Sequence, residues 1–205
     1  MRTLSDLLTV WTTTRAAGIT SYLLLYTSTV AGLLVSSKMA SKRAKAAILG
    51  VHQWSGWFGF LFGAMHGMVL LFDRYVGYSA FELAVPFASN DHRYLNGIGT
   101  LTLYISGLLI LSSDLMKKLG KRVWRAIHFL AFAGYGLALC HGLLLGTDSR
   151  QGWMLAIYAL TAASVLLLSC VRIYGARRKS PSPEYIPPSG VAKPVPLAGE
   201  RRIVR

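Results

Sequence analysis

The sequence predicts an all-α membrane protein: a bundle of five transmembrane helices with its N-terminus outside and its C-terminus in the cytoplasm. Hydrophobic residues make up 53% of the 205 residues and the formal net charge is +14, which together exclude an ordinary soluble domain and a disordered chain. Five apolar runs reach the ~18–25 residues that cross about 30 Å of hydrocarbon as a helix. They cover residues 16–37, 46–72, 96–113, 123–146 and 153–174. The alternating segments typical of a membrane β-barrel do not occur.

The basic residues give the orientation of this bundle. Of the 22 lysines and arginines, 17 lie after the first run, just before the fourth run, or in the tail, and five lie elsewhere. Basic residues accumulate on the cytoplasmic side of membrane proteins, so these three segments are predicted to be cytoplasmic. Runs two and four then both cross from inside to outside. This alternation favours a membrane orientation over a nucleic-acid partner.

The ends of the chain are predicted to differ from its centre. Residues 1–15 form an amphipathic lead, and residues 16–174 form the transmembrane domain. The first run is too long for a cleaved signal peptide and is expected to be retained. The segment 175–205 is rich in Pro, Ser and basic residues and is predicted to be a disordered cytoplasmic tail. Cys140 and Cys170 lie within apolar runs, where small buried side chains are expected rather than a disulfide.

Four of the five histidines lie in only two of the apolar runs. His52 and His66 are 14 residues apart in the second run, and His128 and His141 are 13 residues apart in the fourth. A histidine costs free energy within a bilayer, so an intramembrane one indicates function by default. At ~1.5 Å per residue, each pair spans about 20 Å along its helix. Because the two helices are parallel, His52 is predicted to meet His128 near the cytoplasm, and His66 to meet His141 near the outside.

Two imidazoles that face each other across a gap suit axial ligation of a haem iron, so two stacked haems are expected. The 13-residue spacing leaves ~140° of offset on an ideal helix, which requires a π-bulge, a kink or differently tilted haems. Gly56, Gly59, Gly63 and Gly67 lie on the histidine face of the second run and would allow either close helix packing or a flat macrocycle. The aromatic residues near them, from Trp54 to Phe62, fit core packing or an electron path.

Two arginines are candidate partners of the haem propionates. Arg125 precedes His128 by three residues, and Arg74 follows the second run. Arginine binds carboxylates in a fork, although interfacial anchoring is an equally good interpretation of each arginine alone. His92, between Asp91 and Arg93, is expected to be a solvated loop residue, with a role at an acceptor site as the lesser interpretation. Zinc is disfavoured because levels ~20 Å apart cannot share one ion, and no Walker, Rossmann or HExxH pattern is present.

These residues resemble the ferric-reductase-like transmembrane domain. Ferric reductases, NADPH oxidases and the haem membrane subunit of bacterial periplasmic methionine sulfoxide reductase share this domain. The resemblance covers about residues 16–174 and is carried by the four histidines. It also includes His52-Gln53-Trp54-Ser55-Gly56, Val85-Pro86-Phe87, the segment from Gly120 to His128, and His141-Gly142 through Asp148, which are similar to short bacterial members. It implies two b-type haems, an inner one on His52 and His128 and an outer one on His66 and His141, in a multi-pass protein of the bacterial cytoplasmic membrane.

The resemblance also implies electron transfer across the membrane. Larger members carry a cytoplasmic flavin and NAD(P)H module, and many have six helices; in this chain we expect five helices and no flavin or nucleotide site. The donor is therefore expected to be a separate flavoprotein or a membrane quinol. The acceptor is expected to be ferric iron, which makes the chain an enzyme, or an extracytoplasmic reductase, which makes it a non-catalytic cytochrome b subunit. A haem-free membrane scaffold or metal transporter is the lesser alternative.

Overall fold

The computed structural model describes residues 9–37, 41–73 and 77–177, and within these ranges the regular structure is entirely helical. The eight helices are α1 (Val10–Ser36), α2 (Lys42–Leu70), α3 (Ala80–Ala84), α4 (Arg93–Asp114), α5 (Met116–Leu119), α6 (Lys121–His128), α7 (Leu130–Leu145) and α8 (Gly152–Arg177). The predicted tail from residue 178 onward, most of the predicted lead and Arg74 lie outside the described residues.

Local sequence signals account for where several helices begin. The side chains of Thr9 and Ser41 each accept a hydrogen bond from a backbone N–H in the first turn of α1 and α2, which caps an otherwise unpaired donor. Ser79 and Glu82 form a reciprocal capping box at the start of α3. Gly120, with a φ of 79°, separates α5 from α6 in a backbone conformation that side-chain-bearing residues rarely adopt.

Four helical segments are long and apolar enough to cross a membrane: α1, α4, α6 with α7, and α8. They correspond to four of the five predicted spans. The remaining one, α2, has 29 residues and a length of about 44 Å, which is ample for a bilayer. Its composition is more polar, because it starts with a basic cluster and contains both His52 and His66. Its assignment as a span therefore does not follow from apolarity alone.

Helices α1 and α2 form the tightest pair in the described structure. They run antiparallel, and three glycines of α2 approach α1 closely. A Cβ atom at Gly56 would lie 3.2 Å from the Ser28 hydroxyl, one at Gly59 3.2 Å from the Leu25 backbone nitrogen, and one at Gly63 3.1 Å from the Ser21 hydroxyl. Close helix packing, one of the two predicted roles of these glycines, is thus present along α1.

The core lies where α1, α7 and α8 meet. Its buried residues are Tyr22, Leu33, Tyr135, Met154, Tyr158 and Val165. The Tyr22 hydroxyl lies 2.5 Å from the Thr161 hydroxyl and 3.3 Å from that of Tyr135, so the buried phenol has polar partners on both neighbouring helices.

The outer surface of the bundle is strongly apolar. Leu160, Leu166 and Leu167 of α8 are each at least 65% exposed, as expected of side chains that face lipid. The cysteines belong to this surface too: Cys140 and Cys170 are free and exposed. The prediction that they are buried is wrong, because in a bundle of this kind an apolar position can face the membrane instead of the core.

Candidate functional site

The structure brings the four intramembrane histidines together in two pairs. The ring centroids of His52 and His128 are 5.9 Å apart with an interplanar angle of 72°. Those of His66 and His141 are 6.2 Å apart with an angle of 83°. These pairs join α2 to the end of α6 and to α7, so the two histidine-bearing segments run parallel. The pairing matches the one that the sequence spacing indicates.

Three of the four imidazoles are oriented by the same kind of hydrogen bond. Nδ1–H of His52 donates to the backbone carbonyl of Ser28 at 2.8 Å, and that of His66 donates to the carbonyl of Thr14 at 2.9 Å. Nδ1–H of His141 donates to the carbonyl of Leu95 at 2.8 Å. A carbonyl oxygen only accepts, so Nδ1 must carry the proton in each neutral ring. Nε2, on the other side of the ring, then keeps its lone pair for a metal.

A glycine four residues after each of these carbonyls makes the contact possible. Gly32 follows Ser28 and Gly18 follows Thr14 on α1, and Gly99 follows Leu95 on α4. A Cβ atom would come within 3.1 Å of the His52 ring at Gly32, 3.0 Å of the His66 ring at Gly18 and 2.7 Å of the His141 ring at Gly99. In a helix, the residue at i+4 lies directly over the carbonyl of residue i. Without a side chain there, that carbonyl can accept a second hydrogen bond from an imidazole.

His128 is held in a different way. Its Nδ1 atom is buried and has no hydrogen-bond partner among the described residues. Instead, the ring stacks on Trp124, one turn earlier, with centroids 4.9 Å apart and an interplanar angle of 27°. Trp124 is fixed in turn, because its Nε1–H donates to the Ser113 hydroxyl at 3.3 Å.

The helix is interrupted immediately after His128. Residue Phe129 separates α6 from α7, and the Phe132 N–H bonds to the Phe129 carbonyl, three residues back instead of the usual four. Such a local break changes the rotation of the helix between His128 and His141. It supplies the irregularity that the 13-residue spacing requires if both side chains are to face α2.

A cavity of about 620 Å³ adjoins the inner pair, His52 and His128. Apolar and aromatic side chains line most of it, including Trp54, Trp57, Phe58 and Leu61 of α2. Gly56 and Gly134 lie in its wall, and Gly56 is one of the glycines predicted to leave space for a macrocycle. The volume lies within the ~300–1,000 Å³ typical of sites for small organic ligands.

A second cavity, of about 450 Å³, adjoins the outer pair, His66 and His141. The segment between α2 and α4 covers part of it, because Tyr78 and Leu83 line this cavity. The Tyr78 hydroxyl donates to the Asp91 carboxylate at 3.0 Å. Burial raises the pKa of Tyr78, so the phenol remains a neutral donor at physiological pH.

The outer cavity also contains an ion pair that the sequence analysis missed. Arg15 binds the carboxylate of Asp148 through two nitrogens, Nε at 2.8 Å and one terminal nitrogen. The guanidinium carbon lies 3.9 Å from the ring centroid of Trp11. Both charged side chains line the cavity and are largely withdrawn from solvent. No signal in the sequence links two residues 133 positions apart.

Of the two arginines selected from the sequence, only Arg125 is among the described residues. Arg74 lies outside the described residues, so the structure says nothing about its proposed contact. Arg125 is exposed and is absent from the described lining of the inner cavity. His92 is 59% exposed and its Nε2 lies 3.8 Å from the Asp91 carboxylate, which fits a solvated loop histidine.

The carbonyl-and-glycine contacts had a signal in the sequence that was not used. On α1, Thr14-x3-Gly18 and Ser28-x3-Gly32 recur at 14 residues, the same interval that separates His52 from His66. When two positions on one helix and two positions on an antiparallel neighbour are separated by the same number of residues, each position on the first helix can meet one position on the second. The equal intervals on α1 and α2 are therefore a sequence signal that is consistent with this contact.

The geometry of each pair fits a six-coordinate haem iron. Two metal–nitrogen bonds of ~2.0 Å, each extended by about 1.1 Å from nitrogen to ring centre, put bis-imidazole centroids about 6.2 Å apart. The observed separations are 5.9 and 6.2 Å. Among the described residues, no three His, Cys, Asp or Glu side chains come close enough to hold a metal ion by themselves. Each pair would hold one haem iron with its two imidazoles, and the macrocycle of the haem would supply the remaining ligands.

These features define a class of protein: a helical membrane protein with two levels of paired histidines. The family described as ferric reductase like transmembrane component matches residues 17–139. This match covers more than half of the chain, and the protein belongs to that family. The matched segment contains His52, His66 and His128 and stops two residues before His141. Comparisons with curated proteins and with solved structures gave no match.

Proposed function

We propose that this protein is a transmembrane electron-transfer protein that holds two b-type haems. His52 and His128 ligate the inner haem, and His66 and His141 ligate the outer one. Bound in this way, a haem supplies reversible one-electron chemistry at each level. Electrons enter from the cytoplasmic side, from a flavoprotein or a quinol, and leave to an extracytoplasmic acceptor. Helix α2 is the fifth span of the bundle in this proposal.

The observation that carries the proposal is the state of the imidazoles. In three rings the proton is committed to a backbone carbonyl through Nδ1, which leaves Nε2 as the free nitrogen. A histidine that only filled space in a bilayer would gain nothing from facing a second histidine. An oriented outer-shell hydrogen bond is the usual companion of a histidine that binds a metal. The cavity beside each pair provides the space for a macrocycle.

The charge distribution supports the membrane orientation that the proposed direction of transfer requires. The basic loop before α6, with Lys121, Arg122 and Arg125, lies near the inner pair and belongs on the cytoplasmic side. The outer pair then lies near the opposite surface, beneath the segment that contains α3. An acceptor that approaches from outside would meet this segment, whose Phe81 is 66% exposed. These observations support the proposal of a multi-pass protein in the cell membrane.

The experiment is a measurement of haem content. The protein is expressed with excess haem and purified, and the haem-to-protein ratio and the reduced-minus-oxidised spectrum are recorded. We expect about two b-type haems in the wild type and about one in His66→Ala. The matched control is His92→Ala, which removes the exposed loop histidine and should keep both haems. Absence of haem from the wild type would refute the proposal and favour a scaffold or a metal transporter.

A second measurement separates the enzyme from the electron-transfer subunit. Protein in liposomes that enclose dithionite is supplied with an external ferric chelate, and formation of ferrous iron is followed. Rapid reduction that His66→Ala abolishes would identify ferric iron as an acceptor. Rapid reduction of external ferricyanide without reduction of the ferric chelate would instead indicate a subunit that delivers electrons to another protein. No reduction of either acceptor, with both haems bound, would refute transfer across the membrane.

A further inference from the structure

The two histidine pairs are not equivalent. Both rings of the outer pair donate Nδ1–H to a backbone carbonyl, at 2.9 Å for His66 and 2.8 Å for His141. In the inner pair, His52 makes this bond, whereas Nδ1 of His128 is buried without a partner among the described residues. The outer pair therefore has two oriented hydrogen bonds and the inner pair has one.

We propose that this difference makes the inner pair the more easily reduced of the two levels, and that Trp124 is the positioning residue of His128. The inference rests on the proposed function, because it concerns how each imidazole acts on a bound haem. An Nδ1–H that donates to a carbonyl leaves more electron density on Nε2, which makes the imidazole a stronger donor to iron. A stronger donor stabilises the ferric state. The inner pair has one such hydrogen bond fewer than the outer pair, so it would stabilise the ferric state of a bound haem less than the outer pair does.

One of the charges near the inner pair, that of Arg172, acts in the same direction, whereas Asp114 in the wall of the inner cavity acts against it. Arg172, on α8, interacts electrostatically with His128. A positive charge near a redox centre opposes loss of an electron from that centre, so it favours the reduced form. In the outer cavity, the guanidinium of Arg15 is paired with the carboxylate of Asp148.

Trp124 takes over the task that a carbonyl and a glycine perform for the other three rings. Its indole stacks on His128 at 4.9 Å and is itself tied to Ser113 of α4. Stacking fixes the plane of the imidazole without accepting its proton. The ring is thus oriented toward His52 while its Nδ1 has no acceptor among the described residues. At the other three histidines, one hydrogen bond sets both the orientation of the ring and the strength of its Nε2 as a donor to iron. At His128, stacking sets the orientation alone.

The test is a potentiometric titration of the haem spectrum in lipid nanodiscs, combined with low-temperature electron paramagnetic resonance. The wild type should show two reduction steps. His66→Ala disrupts the outer pair, so the step that remains belongs to the inner pair, and we expect it to be the one at higher potential. A remaining step at the lower potential, or two steps that coincide in the wild type, would overturn the assignment while leaving two haems and the proposed function intact. Absence of haem would refute both.

Variants of Trp124 test its role. Trp124→Leu removes the stacked ring, and we expect it to shift the reduction step and the resonance signal of the inner haem or to reduce its occupancy. The outer step should not move. Trp124→Phe keeps an aromatic ring and should restore the inner signal. Trp153→Leu, at an exposed tryptophan in the first turn of α8, is the matched control.

Ser113→Ala provides an independent variant if Trp124→Leu does not fold. It removes only the acceptor of the indole N–H, and we expect a broadened resonance signal of the inner haem with the outer signal unchanged. An inner signal that is the same in Ser113→Ala and Trp124→Leu as in the wild type would show that Trp124 does not position His128.

Discussion

The sharpest test of the carbonyl-and-glycine contact is Gly99→Ala. A Cβ atom at position 99 would lie 2.7 Å from Cε1 and 2.9 Å from Nδ1 of His141. Ordinary contacts of this type begin at 3.4 Å, so the imidazole would have to move by about 0.7 Å. It cannot do so freely, because its Nδ1–H donates to the Leu95 carbonyl at 2.8 Å on the same helix. The added methyl group therefore acts on the ring and on its hydrogen bond together.

The expected loss follows from that hydrogen bond. A buried donor deprived of its acceptor costs about 1–3 kcal/mol, which corresponds to a factor of roughly 5–150 in affinity. Removal of an outer-shell partner of a metal ligand typically costs ~10–100-fold. We expect Gly99→Ala to weaken the binding of the outer haem by about 10–100-fold and to leave the binding of the inner haem unchanged. Haem titration of the apoprotein, followed by the Soret band, measures it.

Gly136→Ala is the matched control for this measurement. Gly136 lies in α7, and a Cβ atom there would meet nothing within 4 Å. Alanine favours a helix over glycine by about 1 kcal/mol, so neither substitution should weaken the helix itself. Equal haem affinity in the two variants would refute the idea that the missing side chain at Gly99 allows the His141 ring to reach the Leu95 carbonyl.

Three further predictions concern stability and the outer segment. Asp148→Asn should lower the free energy of unfolding by about 1–3 kcal/mol, because the largely buried guanidinium of Arg15 loses its charged partner; thermal unfolding in detergent measures this, and an unchanged midpoint would contradict it. Tyr22→Phe should cost about 1–2 kcal/mol, since the buried hydroxyl of Thr161 loses a hydrogen-bond partner, and the same assay applies. Hydrogen bonds from Ser79 hold the pKa of Glu82 below its ordinary value. The capping box therefore contributes its full stability at a pH above the ordinary pKa, and this contribution is lost as the pH falls through the lowered pKa. Amide hydrogen exchange of residues 80–90, corrected for its intrinsic pH dependence, should therefore become faster in strong acid. Protection that does not change with pH would show that the capping box does not hold this segment.

The sequence was sufficient for the positions of the histidines. Regular helical rise converts intervals of 14 and 13 residues into two matching depths, and charge asymmetry makes the two segments parallel. Those two arguments predict which imidazole meets which. Apolar length likewise predicted four segments that the structure describes as helices suited to a membrane. Helical periodicity and transfer free energy are local properties, so a single sequence carries them.

The sequence was less informative about α2 and about the helix that bears His128. The run 46–72 was predicted as a span, yet its glycines, histidines and basic start make it less apolar than the other spans. The offset caused by the 13-residue spacing required an irregularity, but nothing in the residues 128–141 indicates its position. The irregularity at Phe129 lies between two segments that both contact α4, and such contacts are not contained in local propensity.

What the sequence alone determined is therefore the class of the protein and the depth of each imidazole, because both depend on distances along one helix. What only the tertiary structure decided is the surroundings of each ring. The carbonyls of Ser28, Thr14 and Leu95 serve as acceptors because a glycine four residues later on the same helix lets each ring approach. The pairing of Arg15 with Asp148 joins residues 133 positions apart. Contacts between helices depend on register and rotation, which local sequence patterns constrain only weakly.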